Sequence, residues 1–203
     1  MTIDVYNLFP IPLGIKHSWR EPTVDEKEFF TYAQTKERKQ NDGNTHTKDI
    51  YILDVPEMAE LKNDLTTAIN SYFQEVWKPL FDVEVYITVS WINYTDKGQH
   101  HHGHIHRNSL ISGVYYLDTD DSDKITFGTP HEEMLTMSIR TEEWNEWNSN
   151  EWHMPTPKNS LLLFPSKLRH KVLPTTNPNT RTSLSFNTFI KGRLHDGGQE
   201  IFL

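Results

Sequence analysis

Hydrophobic positions along this 203-residue chain change period once, near residue 80. Before that point Met58, Leu61, Leu65, Ile69, Tyr72, Phe73 and Val76 recur at three- and four-residue spacing, which predicts an amphipathic helix. Pro56 suits its first turn and Pro79 lies just past its end. An earlier helix is predicted over about 24–38, with Thr23 as N-cap, Glu26 completing a capping box, and Phe29, Phe30 and Ala33 as packing positions. Residues 4–16 read as short extended pieces broken by Pro10, Pro12 and Gly14, and "KQNDGNTHTKD" as a polar loop.

From Val83 the period becomes two. Val83, Val85, Ile87 and Val89 alternate with Glu84, Tyr86, Thr88 and Ser90, the signature of a strand with one buried face. Further strands are predicted at "LISGVYYL", "KITF", "LTMSI", "NSLLLFP", "HKVLP" and "TSLSFNTFI". Two helices leading into many short strands imply a mainly β fold, an antiparallel barrel or sandwich with the helices on one side. A parallel α/β sheet would need helices between its strands, and none is predicted after residue 80. No internal repeat or low-complexity linker divides the chain. Residues 1–203 therefore read as one domain, with 1–80 as helical support and 81–195 as the β core.

Composition narrows the function. Apolar residues make up 35% and aromatic residues 12%, enough for a packed core. A formal charge of −8 without a long basic block excludes bulk nucleic-acid binding. There is no apolar run long enough to span a membrane, and the N-terminus lacks the pattern of a secretory signal, so a cytoplasmic location is expected. With no cysteine, disulfides, thiolate metal sites and cysteine nucleophiles are all excluded. The tract "EEWNEWNSNE" is acidic and carries Trp144 and Trp147, with Trp152 just beyond. The expectation is a surface loop whose tryptophans tuck back onto the core; the alternative is a lid or substrate-facing surface.

The chemistry concentrates in "GQHHHGHIHRNS", where five of the eleven histidines fall within residues 100–106. In an extended segment His102, His104 and His106 share one face, with His101, Gly103 and Ile105 on the other. Neutral imidazoles two apart can chelate a divalent ion, but such a pair needs a third ligand. His170, which follows an apolar strand and Pro165, is the candidate. Eleven residues further on, Arg181, Ser183, Ser185 and Asn187 share one strand face, with Leu184 and Phe186 on the other. A guanidinium beside a hydroxyl suits a carboxylate, bidentate and charge-assisted, while an internal salt bridge to an acid would use the same arginine.

Three ordered motifs, "H-x-H-x-N-S-x-x-S-G-V-Y-Y", "F-P-S-x-x-x-H-x-V-x-P" and "R-x-S-x-S-F-N", resemble the iron(II)/2-oxoglutarate-dependent oxygenases of bacteria and their phages. The opening "LFPIPLG" is similar to that family's beginning as well. The resemblance implies a double-stranded β-helix, a cupin-like jelly roll, with the N-terminal helices packed on one sheet. It implies Fe(II) held by His104, His106 and His170, with His102 as substitute ligand, and 2-oxoglutarate held by Arg181 and Ser183. Tyr115 and Tyr116 face opposite ways, and Tyr116 with Asn187 is assigned to the cosubstrate pocket. The implied reaction hydroxylates a small-molecule, peptide or protein substrate with O₂ as cosubstrate and succinate as product. A homodimer is the assembly considered, in the cytoplasm of the bacterial host if the gene is a phage's. One departure stands out: such sites ordinarily use two histidines and a carboxylate, yet neither Asp nor Glu occurs between Lys97 and Leu117.

Two alternatives use the same residues. The histidine cluster and "P-x-x-x-x-H" also resemble the two motifs of metal-binding cupins, which act without 2-oxoglutarate, although the usual cupin glutamate is absent. The other is a non-catalytic protein stabilised by a closed metal site.

Overall fold

The computed structural model describes residues 3–129 and 139–195. Among them, two antiparallel sheets face each other and two helices cover the outer face of the larger one. The strands are β1 (Gly14–Lys16), β2 (Arg38–Gln40), β3 (Thr45–Thr47), β4 (Val83–Thr95), β5 (His101–His104), β6 (Ile111–Asp118), β7 (Lys124–Gly128), β8 (Glu151–Pro155), β9 (Leu161–Pro165), β10 (His170–Val172) and β11 (Arg181–Gly192). The seven-stranded sheet runs β1-β9-β6-β11-β4-β3-β2 and the four-stranded sheet β5-β10-β7-β8. This is the mainly β jelly roll that the motifs imply.

Helix α1 (Val24–Gln34) carries the expected capping box: Glu26 N–H donates to Thr23 Oγ1, and Thr23 N–H donates to Glu26 Oε2. It stops short of residue 38 because Arg38 already belongs to β2. A 3₁₀ turn at Pro56–Met58 leads into α2 (Ala59–Trp77), whose Leu61, Leu65, Ile69 and Phe73 are buried. They pack with Ile92, Tyr115, Leu163, Leu184 and Phe186 from the larger sheet.

The segment expected to be a polar loop is instead a β-hairpin. Asn41 N–H donates to Asn44 C=O around Asp42-Gly43, with Gly43 at φ +95°, the left-handed geometry that Asp-Gly turns favour. β3 then pairs with β4 at His46↔Asn93, so the hairpin extends the larger sheet. Glu151–Pro155 forms a strand that the period did not reveal, and the predicted strand "LTMSI" lies, apart from Ile139, outside the described residues.

Alternation assigns each side chain to one of two cores. Along β6, Tyr115 faces the helices, where its hydroxyl donates to Arg20 C=O and Trp19 meets its ring edge-on at 5.3 Å. Val114 and Tyr116 face inward, packing with Ile125, Phe127, Leu162, Phe164 and Leu168 between the sheets. Gly113 lets the strands approach, since a Cβ there would overlap the Phe186 ring and crowd Leu163. Gly113→Ala is expected to destabilise the fold by about 1–3 kcal/mol through overpacking. Denaturant unfolding measures this, and an unchanged midpoint would show that Phe186 moves aside freely.

Candidate metal centre

Two strands of the smaller sheet bring the histidines together. β5 and β10 are antiparallel, with His104 opposite His170 and His101 opposite Val172. Three steps along β5 thus match two along β10, a bulge that leaves one extra residue on β5. Strict alternation would put His101 and His104 on opposite faces. The bulge cancels that, and the His101 ring stacks on His104 at 4.6 Å. The expectation that His101 points away from His104 is therefore corrected.

Ring nitrogens of His104, His106 and His170 all lie within 4.8 Å of one another, and a second group, His101, His102 and His104, meets the same limit. Among the described residues no carboxylate joins either group. Nδ1 of His104 lies 2.8 Å from His102 C=O, and Nδ1 of His170 lies 2.9 Å from Leu168 C=O. A carbonyl only accepts, so both Nδ1 atoms carry the proton, and each Nε2 keeps its lone pair. His106 rests against Trp91, ring centroids 5.8 Å apart, and its Nδ1 lies 3.4 Å from the Asn187 side-chain amide. Phe164 meets His170 edge-on at 4.7 Å.

Burial governs the charge of these rings. It holds His170 down to about 3, His106 to about 4 and His101 to about 2, with neighbouring imidazoles adding to the effect, and it lowers His104 as well. At neutral pH the cluster is uncharged and needs to lose no proton to bind a cation.

Next to the histidines, the polar face of β11 is buried rather than half exposed. Arg181 is only 4% exposed, and Ser183 and Ser185 are buried beside it. Ser183 sits opposite Asn93 on β4 and Tyr116 on β6. Arg181, Ser183 and Tyr116 line a small cavity together with His101, His104 and His170. Its volume of about 30 Å³ is that of a single water molecule. Arg181 Nε and Tyr116 Oη are both buried without a hydrogen-bond partner. Asp123 lies 3.7 Å from Arg181 Nε, close enough to balance its charge and too far for a hydrogen bond. Its own oxygens accept from Thr175 Oγ1 and from the Asn177 side-chain amide. Asn187 is not in this cavity; its carbonyl oxygen accepts from Ser112 Oγ.

Three residues at the site had no individual signal in the sequence. Asp123 comes from the turn before β7. His101 reaches the cavity through the bulge. Asn41, from the hairpin, donates to His101 Nε2 at 3.0 Å and to Asn44 Oδ1 at 3.2 Å. Only the Asp-Gly turn beside Asn41 could have hinted at its placement. Trp144, Trp147 and Trp152 do not tuck onto the core as expected: they are 69%, 54% and 47% exposed.

A jelly roll with clustered neutral histidines at one end of its interior, beside a buried arginine lacking a hydrogen-bond partner on Nε, can hold a divalent metal next to an anionic group. Residues 89–187 match the family model described as "Putative 2OG-Fe(II) oxygenase". No curated protein matches the sequence. The fold is shared with a prolyl-4-hydroxylase from Pseudomonas putida, 12% identical, covering 87% of this chain and 92% of that one at TM-score 0.57. It is shared with HygX from Streptomyces hygroscopicus, bound to nickel, 2-oxoglutarate and hygromycin B, 8% identical over 88% and 82% of the two chains at TM-score 0.60. A prolyl hydroxylase from Trichoplax adhaerens, in complex with a hypoxia inducible factor peptide, is 12% identical over 87% and 83% at TM-score 0.58. Over residues 89–187 the chain is similar to the 2OG-Fe(II) oxygenase family, and HygX, of the same fold, holds nickel and 2-oxoglutarate. No helix among the described residues is long and apolar enough to cross a membrane.

The depressed imidazoles carry a pH signature. Unfolded histidines protonate near pH 6.5, whereas the buried ones resist to about 4 and below. Between those values the unfolded chain binds more protons, so stability is full above pH 6.5 and falls as the pH drops below it. The thermal midpoint of metal-free protein is expected to fall between pH 6.5 and 5, above the carboxylate range; a flat profile there would contradict the burial of these rings.

Proposed function

We propose that His104, His106 and His170 hold the iron, that Arg181 and Ser183 hold the far carboxylate of 2-oxoglutarate, and that the enzyme hydroxylates a small-molecule or peptide substrate. The observation that carries this reading is a three-imidazole cluster, two of whose rings, His104 and His170, line one cavity with an arginine whose buried Nε has no hydrogen-bond partner. The donor set fits a divalent first-row metal, because imidazole nitrogens suit Fe(II), although the usual carboxylate is replaced by a third histidine. With its cosubstrate, the bound metal supplies the oxidant that places one oxygen atom of O₂ in a substrate C–H bond and the other in succinate, with loss of CO₂.

The chain's own residues prepare that chemistry. The carbonyls of His102 and Leu168 fix the tautomers of His104 and His170, so that Nε2 is the free donor on each. Burial keeps the rings neutral. Asp123 offsets Arg181 without consuming its hydrogen-bonding capacity, and Tyr116 offers a second donor, its hydroxyl held protonated by burial. Phe127, Phe164 and Leu168 exclude water from the inner side of His170. His101 lines the water-sized cavity and stacks on His104, so admitting a five-carbon diacid requires the lining to open. Peptide and small-molecule substrates both have precedent in this fold, in the Trichoplax hydroxylase and in HygX.

Adding Fe(II) and 2-oxoglutarate without oxygen is expected to produce a weak visible metal-to-ligand absorption band. Arg181→Ala should weaken 2-oxoglutarate binding about ten- to hundredfold, the range for a charge-assisted pair, and leave iron stoichiometry intact. His170→Ala should abolish iron binding while His102→Ala retains it. Iron lost in His102→Ala but kept in His170→Ala would move the site to the other histidine group.

A further inference from the structure

The tryptophan tract forms part of a groove that the iron and 2-oxoglutarate assignments leave unused. A cavity of about 600 Å³ lies between the N-terminal segment and residues 146–152, with Tyr6, Phe9, Trp147, Trp152, Glu146 and Glu151 among its lining. Asn7 ties its two walls together: the side-chain amide donates to Glu146 Oε1 at 3.0 Å, and its carbonyl oxygen accepts from Trp147 Nε1 at 2.6 Å.

Strand register places this groove at the metal end of the sandwich. Phe127 on β7 is opposite His170, and the next residue, Gly128, is opposite Glu151, so residues 146–151 begin one step beyond the histidines. On the other wall Gly14 pairs with Leu163, so the chain before Gly14 runs past Pro165 toward Ser166, whose carbonyl accepts from His106 N–H. Phe127 and Leu168 serve both places. They line the groove, while the Phe127 ring lies 6.2 Å from His170 and Leu168 C=O accepts from His170 Nδ1.

The lining is one-sided in charge. Among the described residues it contains two carboxylates and no Lys, Arg or His. Glu151 pairs with Lys171 outside the groove, whereas Glu146 Oε1 is bonded to the neutral Asn7 amide. Aromatic faces and a carboxylate without a cation both attract positive charge, the first through the ring quadrupole. The volume falls within the range of roughly 300–1,000 Å³ for small-molecule sites. We propose that this groove binds a small organic cation, an apolar body bearing a protonated amine, as the recognition end of the substrate. That role as a substrate site rests on the iron assignment above; the cation binding itself does not.

The test uses full-length protein loaded with Mn(II) and 2-oxoglutarate, and two probes of equal shape, 2-phenylethylammonium and the neutral 2-phenylethanol. Tryptophan fluorescence titration should show the ammonium binding and the alcohol at least about tenfold weaker, and Mn(II) should broaden the proton NMR lines of the bound ammonium. Glu146→Gln and Trp147→Ala should each raise the ammonium Kd about tenfold. Trp144→Ala, which removes an exposed tryptophan outside the groove lining, should leave it unchanged. Equal binding of the two probes, or an unchanged Kd in Glu146→Gln, overturns the proposal. Binding of a lysine-containing peptide with no binding of the small ammonium overturns it in favour of a macromolecular partner. Charge-selective binding without paramagnetic broadening overturns the substrate role. If instead the Fe(II)–2-oxoglutarate band never forms while the ammonium still binds by charge, the iron assignment fails and the cation site stands.

Discussion

Arg181 carries a full positive charge into the space between the two sheets, where it is 4% exposed. A buried guanidinium is tolerated only with compensation, and removing its partner would leave an unpaired charge in a poorly solvated interior. Asp123 supplies that compensation at 3.7 Å while its own oxygens are occupied by Thr175 and Asn177. The balance is electrostatic and not a saturated hydrogen-bond pair, because Arg181 Nε remains unpartnered. An arginine fully engaged by its aspartate would have nothing left for a carboxylate. The histidines are neutral chiefly because they are buried, with Arg181 adding to the effect only at His101.

Charge bookkeeping for the cavity follows from this arrangement. Asp123 cancels Arg181, and the imidazoles contribute nothing. On the proposed ligand assignment, three neutral donors leave a divalent metal with its full charge, where a histidine–carboxylate set would offset part of it. A dianionic cosubstrate held beside Arg181 would then offset that charge. The cavity as it stands admits only a water-sized guest, and His101, held by the Asn41 amide, is part of its lining. The hairpin that carries Asn41 thereby connects the far edge of the larger sheet to the site.

Much of the architecture is legible in local pattern. The 3.6-residue stripe buries Met58, Leu61, Leu65, Ile69 and Phe73 and leaves Tyr72 and Val76 half-buried, and the two-residue alternation of β11 separates Arg181 and Ser183 from Leu184 and Phe186 as read. Both succeed because a helix or strand packed on one face must repeat its apolar residues at its own period. The β2–β3 hairpin was misread because its strands are short and polar; only Asp-Gly at the turn betrayed it. Trp144, Trp147 and Trp152 were misplaced for the opposite reason. Aromatic content argues for burial, but Trp147 and Trp152 line a groove and Trp144 is exposed outside it, surface that composition cannot distinguish from core.

The sequence by itself determined the class of fold, the family it resembles and the residue types available for chemistry: clustered imidazoles, a distant histidine, and an arginine with a serine two residues on. Their ordered motifs carry that information because spacing along a strand dictates which side chains share a face. Only the tertiary structure decided which of these groups meet. The bulge between β5 and β10 turns His101 toward His104, the turn before β7 delivers Asp123 to Arg181, and Asn187 goes to His106 instead of the clamp cavity. Each of these depends on register between strands distant in sequence. A shift of one residue in register reverses a side chain's face, and nothing local in the chain records that shift.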